Sequence, residues 1–271
     1  MIDHISISQI DMFFRCGEQY RRRYIEGERV PPGIALHIGT GVHKAAEHNY
    51  RQKILTGEDL PAAQLQEVAV DAYAKSLDKQ GVMFTAEERP AAKKILGESA
   101  DVVSGLTVVL REKVTPEIQP ALIEESMTLD VPGLDVPFLG IVDCYSRDGR
   151  LSDLKTAAKK WSQDKADSES QPTLYRKLIK ARTGSYPLKI TFDVLTKTKT
   201  PAHQQLVTER DDDDFAILVR KAKIMLRMVS AGIFAPAEPG SWSCSAVYCG
   251  FWASCPLISP RLKRRPNVEV R

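Results

Sequence analysis

Residues 140–156, GIVDCYSRDGRLSDLKT, constrain the fold more than any other stretch. Their strand character on either side of Asp148-Gly149 predicts a β-hairpin. The strands carry Asp143, Asp153 and Lys155 among residues suited to burial. The length of the turn decides where these groups point. A two-residue turn at Asp148-Gly149 sets Asp143 against Leu154, and the two aspartates then face opposite sides of the sheet. A three-residue loop, Arg147-Asp148-Gly149 with Gly149 left-handed, sets Asp143 against Asp153, and Lys155 shares their face. Carboxylates opposed at about 5 Å between Cβ atoms repel each other. A divalent cation that binds both removes the repulsion, and Mg²⁺ and Mn²⁺ favour such oxygen ligands. A solvated polar face without metal is the alternative.

The hairpin sits in a chain whose pattern changes along its length. One helix or two short ones are expected over 8–24, with Ser8 as N-cap, and further helices over 37–54, 61–80 and 85–113. Strands follow at 121–131, 136–146 and 149–157, then a helix near 171–182 and a strand pair at 188–197 and 203–208. A last long helix runs over 211–231, where the four aspartates 211–214 suit its positive end. This order predicts an α/β fold, a mixed central sheet flanked by helices.

Three further features bear on the hairpin. In GTGVHKAAEHNY (39–50), His43 and Glu47 lie one turn apart on one helix face, as a ligand and its supporting carboxylate would. Gly39 and Gly41 suit a close approach of that helix to another backbone. In QPTLYRKL (171–178), Pro172 suits a first helical turn, which puts Gln171 and Tyr175 on one face. Five cysteines, an odd number, argue against a disulfide framework. Three crowd into SWSCSAVYCGFWASCPL as Cys244, Cys249 and Cys255, and Cys144 reads as a core residue on the face opposite Asp143.

Net charge, +3, decides little, but basic clusters at 21–23, 158–161, 197–199 and 261–265 leave room for a nucleic-acid track. No apolar run approaches the roughly 18 residues of a membrane span. The N-terminus lacks the pattern of a secretory signal, so a cytoplasmic protein is expected.

The order His43, Asp143, Asp153-Leu154-Lys155, Gln171-x-x-x-Tyr175 resembles the PD-(D/E)XK nuclease superfamily, and within it the RecB-type exonuclease branch. GTGVHKAAE, GIVD, DLK and QPTLY stand where that branch shows its motifs. SISQIDMFFRCGEQY, with Cys16 and Tyr20, is similar to the N-terminus of a subgroup that carries a four-cysteine iron–sulfur cluster. That subgroup includes AddB-like helicase-nuclease subunits, CRISPR-associated iron–sulfur exonucleases and phage relatives. Its usual spacing is C-x2-C-x5-C, whereas this chain has C-x4-C-x5-C.

The resemblance implies a restriction-endonuclease-like fold in one domain, 1–271. Residues 1–115 would be a mainly helical arch with the His motif, 116–232 the nuclease core, and 233–271 a cysteine segment and basic tail joined to Cys16. It implies Mg²⁺ or Mn²⁺ held by His43, Asp143, Asp153 and the Leu154 backbone carbonyl, with Glu47 behind His43. The histidine favours Mn²⁺. Lys155 would position water or stabilise the transition state, acting as base only if its pKa is lowered, and Gln171 and Tyr175 would orient it. Glu125 is a further candidate to support the site. Cys16, Cys244, Cys249 and Cys255 would hold a 4Fe–4S cluster, with structural Zn²⁺ the alternative, and Phe251 and Trp252 would pack around it. Lys197, Lys199 and the 261–265 run would track DNA phosphates. The function implied is a metal-dependent DNA exonuclease at single-stranded or free ends, in recombination, repair or phage DNA processing, with a recombination partner protein. CRISPR spacer end-trimming, a non-catalytic DNA-binding iron–sulfur module and an iron–sulfur redox protein are the alternatives.

Overall fold

The computed structural model describes residues 2–263. Arg264 and Arg265 of the expected basic tail lie outside the described residues. Five strands form one sheet in the order β1 (Pro120–Leu129), β2 (Phe138–Ser146), β3 (Arg150–Ala157), β4 (Lys189–Thr196), β5 (Ala202–Thr208). β3 and β4 are parallel and the other neighbours antiparallel. The parallel pair requires a crossover, which α6 (Gln163–Ser168) and α7 (Gln171–Thr183) supply. α6 was not expected from the sequence; its six residues are too few to show a helical period.

Helices cover both faces. On one side α1 (Ile7–Arg15), α7 and α8 (Asp212–Ser230) bury Ile10, Phe13, Leu174, Leu178, Leu218 and Met225 against Met127, Phe138, Val142 and Leu151. On the other, α3 (Ile34–Thr56), α4 (Ala62–Gln80) and α5 (Ala92–Val109) bury Val42, Ala69, Val103 and Leu106, with Ile123, Cys144, Leu154 and Leu195 beneath them. Cys144 is thus a core residue. α3 and α4 pack closely at Gly41, where a Cβ would lie 2.7 Å from the Ala69 carbonyl oxygen. Among the described residues no helix is long and apolar enough to cross a membrane.

The stretch 8–24, expected as one helix or two short ones, is interrupted at Cys16. α1 ends at Cys16, whose φ of −164° is extended, and α2 (Gly17–Tyr20) starts there, with the Cys16 sulfur accepting the Gln19 N–H at 3.4 Å. The N-cap is Ser6 rather than Ser8. Its hydroxyl accepts from the Gln9 N–H, and the Gln9 side chain accepts from the Ser6 N–H. At α8, Asp211 and Asp214 form the same reciprocal arrangement.

The hairpin has the three-residue loop. Tyr145 pairs with Leu151 and Cys144 with Ser152, and Gly149 has φ +83°. Any Cβ there would be strained and would also lie 2.9 Å from Leu188 Cγ. Extending this register by one residue puts Asp143 opposite Asp153, but the ladder stops short of that pair.

The reason lies on β1. Ile123 pairs with Cys144 and Glu125 with Val142, while Glu124, opposite Asp143, is skipped and has φ +47°. Such a left-handed turn by a non-glycine residue costs about 1–2 kcal/mol. It also reverses side-chain parity. Ile123 and Cys144 pack beneath α3–α5, whereas Met127 and Val142, of the same sequence parity, pack on the opposite face. A regular sheet would keep each pair on one face.

Candidate active site

The break in β1 and β2 turns Glu124 and Asp143 into a crevice below α3, lined also by His43, Glu47, Ser152 and Leu154. Potential ligand atoms of His43, Glu124 and Asp143 all lie within 4.8 Å of one another. The imidazole Nδ1 of His43 is 3.7 Å from an Asp143 oxygen. That same oxygen accepts the Leu154 N–H at 3.0 Å, which fixes the carboxylate against β3. Burial, and after it the Asp143 charge, push the Glu124 carboxyl above its ordinary pKa.

Asp153 lies outside this group of three and is 2% exposed. Neither of its oxygens accepts a well-directed hydrogen bond among the described residues. The Lys155 ammonium makes a close ionic contact with it at 2.6 Å. Burial drives the Asp153 carboxyl above the usual carboxylate range, Lys155 opposing and Asp143 adding to the rise. A buried carboxylate left this poorly satisfied is costly.

Lys155 also donates to Gln171 Oε1 at 2.6 Å, and Gln171 Nε2 donates to the Tyr175 hydroxyl at 3.2 Å. Gln171 and Tyr175, a turn apart on α7, thereby hold the amine in place. Burial alone lowers the lysine's pKa, but Asp153 and Asp143 raise it by more, so the net shift is upward. These carboxylates favour its charged form, which suits the group to binding an anionic oxygen.

Two expected supports are placed otherwise. Glu47 does not reach His43. Its carboxylate pairs with Lys44 and with Arg51, whose Nε lies at 3.0 Å, because those cations share its helix face. Glu125 points away and pairs with Arg182 at 2.7 Å. Its neighbour Glu124 takes the place by the crevice, a residue that the sequence reading missed. Adjacent glutamates in ALIEESMTL were the available signal, but choosing between them required the β1–β2 register. Behind the site, buried Asp193 accepts from Ser152 Oγ at 2.5 Å and Gln205 at 3.1 Å and lies 2.8 Å from His203 Nε2. This network ties β3, β4 and β5 together and was also not foreseen.

Lys197 lies at the end of β4 beside the end of β3, its N–H bonded to the Ala157 carbonyl at 2.8 Å. Its ammonium is half-buried, and burial lowers its pKa. Lys199 is exposed in the following turn. Lys263 is spoken for: its ammonium caps the Ala253 and Cys255 carbonyls at 3.0 and 2.7 Å.

Cys16, Cys244, Cys249 and Cys255, far apart in sequence, line a single cavity with Gln19, Arg22 and Phe251. No three of their sulfurs lie within 4.8 Å of one another. Four thiolates on Zn²⁺, at about 2.3 Å from the metal, would be about 3.8 Å apart. The four sulfurs as placed are not drawn in to that spacing. Phe251 is buried against the cavity, in its expected packing role.

The chemistry of these groups matches a family signature over most of the chain. A model of the PD-(D/E)XK nuclease superfamily matches residues 4–256. The chain belongs to the PD-(D/E)XK nuclease superfamily. Its nucleases use divalent metals, and the donor set of His43, Glu124 and Asp143 fits such an ion, with the buried Asp153–Lys155 pair nearby on β3. Among solved structures, a candidate exonuclease from Eubacterium rectale aligns with a TM-score of 0.60 at 15% identity, covering 98% of this chain and 91% of that one. At that identity the likeness is one of fold. A structure of the protein SSO0001 aligns at 0.44 and 14% identity, over 94% of this chain and 87% of that one. No curated protein is similar enough in sequence to add to these comparisons.

Proposed function

We propose that this member of the superfamily is a divalent-metal-dependent exodeoxyribonuclease that hydrolyses phosphodiester bonds at free DNA ends, in recombination, repair or phage DNA processing. The observation that carries the reading is Asp153, buried beside Asp143 with the Lys155 ammonium 2.6 Å from its carboxylate. His43, Glu124, Asp143, Asp153 and the Leu154 carbonyl would hold the ion. When bound, it would supply Lewis-acid activation of the phosphate and of water. Lys155, kept charged and aimed by Gln171 and Tyr175, would stabilise the developing negative charge. The helical layer of α3–α5 covers the face from which His43 projects, in keeping with access by a strand end. Lys197, half-buried at the end of β4, and Lys199 would meet the phosphates that follow.

The four cysteines would hold a 4Fe–4S cluster that joins the N-terminal helices to the C-terminal segment. The cavity that all four share supports a common centre, with structural Zn²⁺ the alternative. Such thiols would suit a reducing compartment such as the cytoplasm.

The test is digestion of end-labelled single- and double-stranded DNA of both polarities with Mg²⁺ or Mn²⁺. Release of nucleotides from ends by the wild type, lost in Lys155→Ala, supports the proposal. Equal behaviour of the two proteins overturns it. Cutting of closed circular DNA by the wild type would replace exonuclease with endonuclease.

A further inference from the structure

Arg22 follows α2, and its side chain is buried, the residue being 8% exposed. One edge of its guanidinium is taken. Nε and Nη2 donate to the two oxygens of Glu28 at 2.9 and 2.6 Å. One face is covered by the Phe251 ring, with the guanidinium carbon 4.5 Å from its centroid. The remaining nitrogen, Nη1, is buried and has no hydrogen-bond partner among the described residues. The guanidinium is planar, so with Nε and Nη2 directed at Glu28, the outer N–H of Nη1 points to another side. Arg22 lines the cavity of the four cysteines, and its charge acts on Cys249 and Cys255 there.

A buried guanidinium N–H without an acceptor is unfavourable. The acceptors that would satisfy it are the sulfurs of a metal centre in that cavity. A 4Fe–4S core of charge 2+ bound by four thiolates carries a net 2−, and reduction by one electron makes it 3−. Hydrogen bonds to the sulfurs and nearby positive charge both favour the reduced form.

We propose that Arg22 is a positioning and charge-compensating residue of this centre, donating from Nη1 to cluster or cysteine sulfur and raising the reduction potential. The proposal rests on the iron–sulfur reading above. Glu28 and Phe251 hold the guanidinium, Glu28 by its carboxylate and Phe251 by the face of its ring. Glu28 also partly offsets the guanidinium's charge.

The experiment is anaerobic purification of wild type, Arg22→Gln, Arg22→Lys and Glu28→Gln. Iron and zinc are measured, then the midpoint is found by stepwise dithionite reduction followed in the visible spectrum. Arg22→Gln should shift the midpoint downward. Arg22→Lys, which keeps the charge, should shift it less, and Glu28→Gln, which leaves the guanidinium uncompensated, should shift it upward. An iron-loaded Arg22→Gln protein with the wild-type midpoint overturns the role of Arg22 and leaves the cluster standing. If Arg22→Gln does not fold, an unchanged midpoint in Glu28→Gln overturns it instead. Zinc without iron in the wild type overturns the cluster reading itself.

Discussion

Glu124 faces Asp143 across β1 and β2 where the pairing skips both, and its φ of +47° turns the strand so that both carboxylates meet His43. Residues in this backbone region persist where the surroundings hold them, often at functional sites. The strain and the crowding of charge belong to the same feature.

This separates two neighbouring glutamates. Glu124→Gln should raise the Mn²⁺ or Mg²⁺ concentration for half-maximal DNA digestion at least tenfold, the scale seen when groups around a metal are removed. Glu125→Gln loses an exposed pair with Arg182 and should change stability by less than about 1 kcal/mol, with the metal titration unmoved. Metal titrations of both variants check this. Equal curves would sink the assignment of Glu124.

Lys155→Ala should lower the turnover of DNA digestion by about 10²–10³, as expected for one preorganised donor to a developing anion. Gln171→Ala, which frees the ammonium on one side, should lower it by less, and binding of DNA in Ca²⁺ should be nearly unchanged in both. Single-turnover kinetics beside binding isotherms distinguish the two effects.

His37 supplies a pH-dependent term in stability away from the metal site. It is buried between α3 and α4 with its Nδ1 2.8 Å from Ser76 Oγ, and burial lowers its pKa. The folded state therefore takes up the proton less readily than the unfolded chain. Its contribution is fully present above the unfolded value near 6.5 and is lost as pH falls toward the folded one. Denaturant melts from pH 8 to 5 should show stability falling below about pH 6.5, by at most about 1.4 kcal/mol per pH unit from this group. His37→Gln should flatten that limb. An equal slope in the variant would rule out His37 as its source.

Lys197 is half-buried at the end of β4, beside the end of the β3 strand that carries Lys155. Lys197→Ala should weaken DNA binding and reduce the slope of log K against log salt by about 1, the loss of one phosphate contact. Binding titrations over a range of salt concentrations provide the check. An unchanged slope would remove Lys197 from the DNA path.

Cys249→Ser should loosen the junction between the first helices and the C-terminal segment. Limited proteolysis would then cut within 233–263, while the sheet core resists. Wild type treated with a strong iron chelator under reducing conditions should show the same cleavage if the centre contributes to folding.

Much of this site was legible in the chain because its spacings are local. The D-x-K pair needs only the period of a strand, Gln171 and Tyr175 only that of a helix, and Gly149 only the turn that requires its positive φ. The register of β2 with β3 followed from a loop of three residues, which leaves little choice. Glu124 was out of reach for the opposite reason: eight residues separate Leu129 from Phe138, and the turn among them, closed by the Leu134 N–H on the Val131 carbonyl at 3.1 Å, is not a short hairpin loop that joins the two strands directly and sets the register of β1. Glu47 was misassigned because shared helical face says which groups can meet, and Lys44 and Arg51 share that face too.

By itself, then, the sequence determined the order of the five strands and the long helices, the two parities open to the hairpin, and the candidate groups at Asp143, Asp153 and Lys155, since each depends on contacts within a few residues. Only the tertiary structure decided that Glu124 joins His43, that Asp153 is buried against Lys155, and that four distant cysteines share a cavity with Arg22, whose Nη1 has no partner among the described residues. Those facts depend on how strands and helices from remote parts of the chain pack. Packing energy is summed over many contacts that no short stretch of sequence encodes.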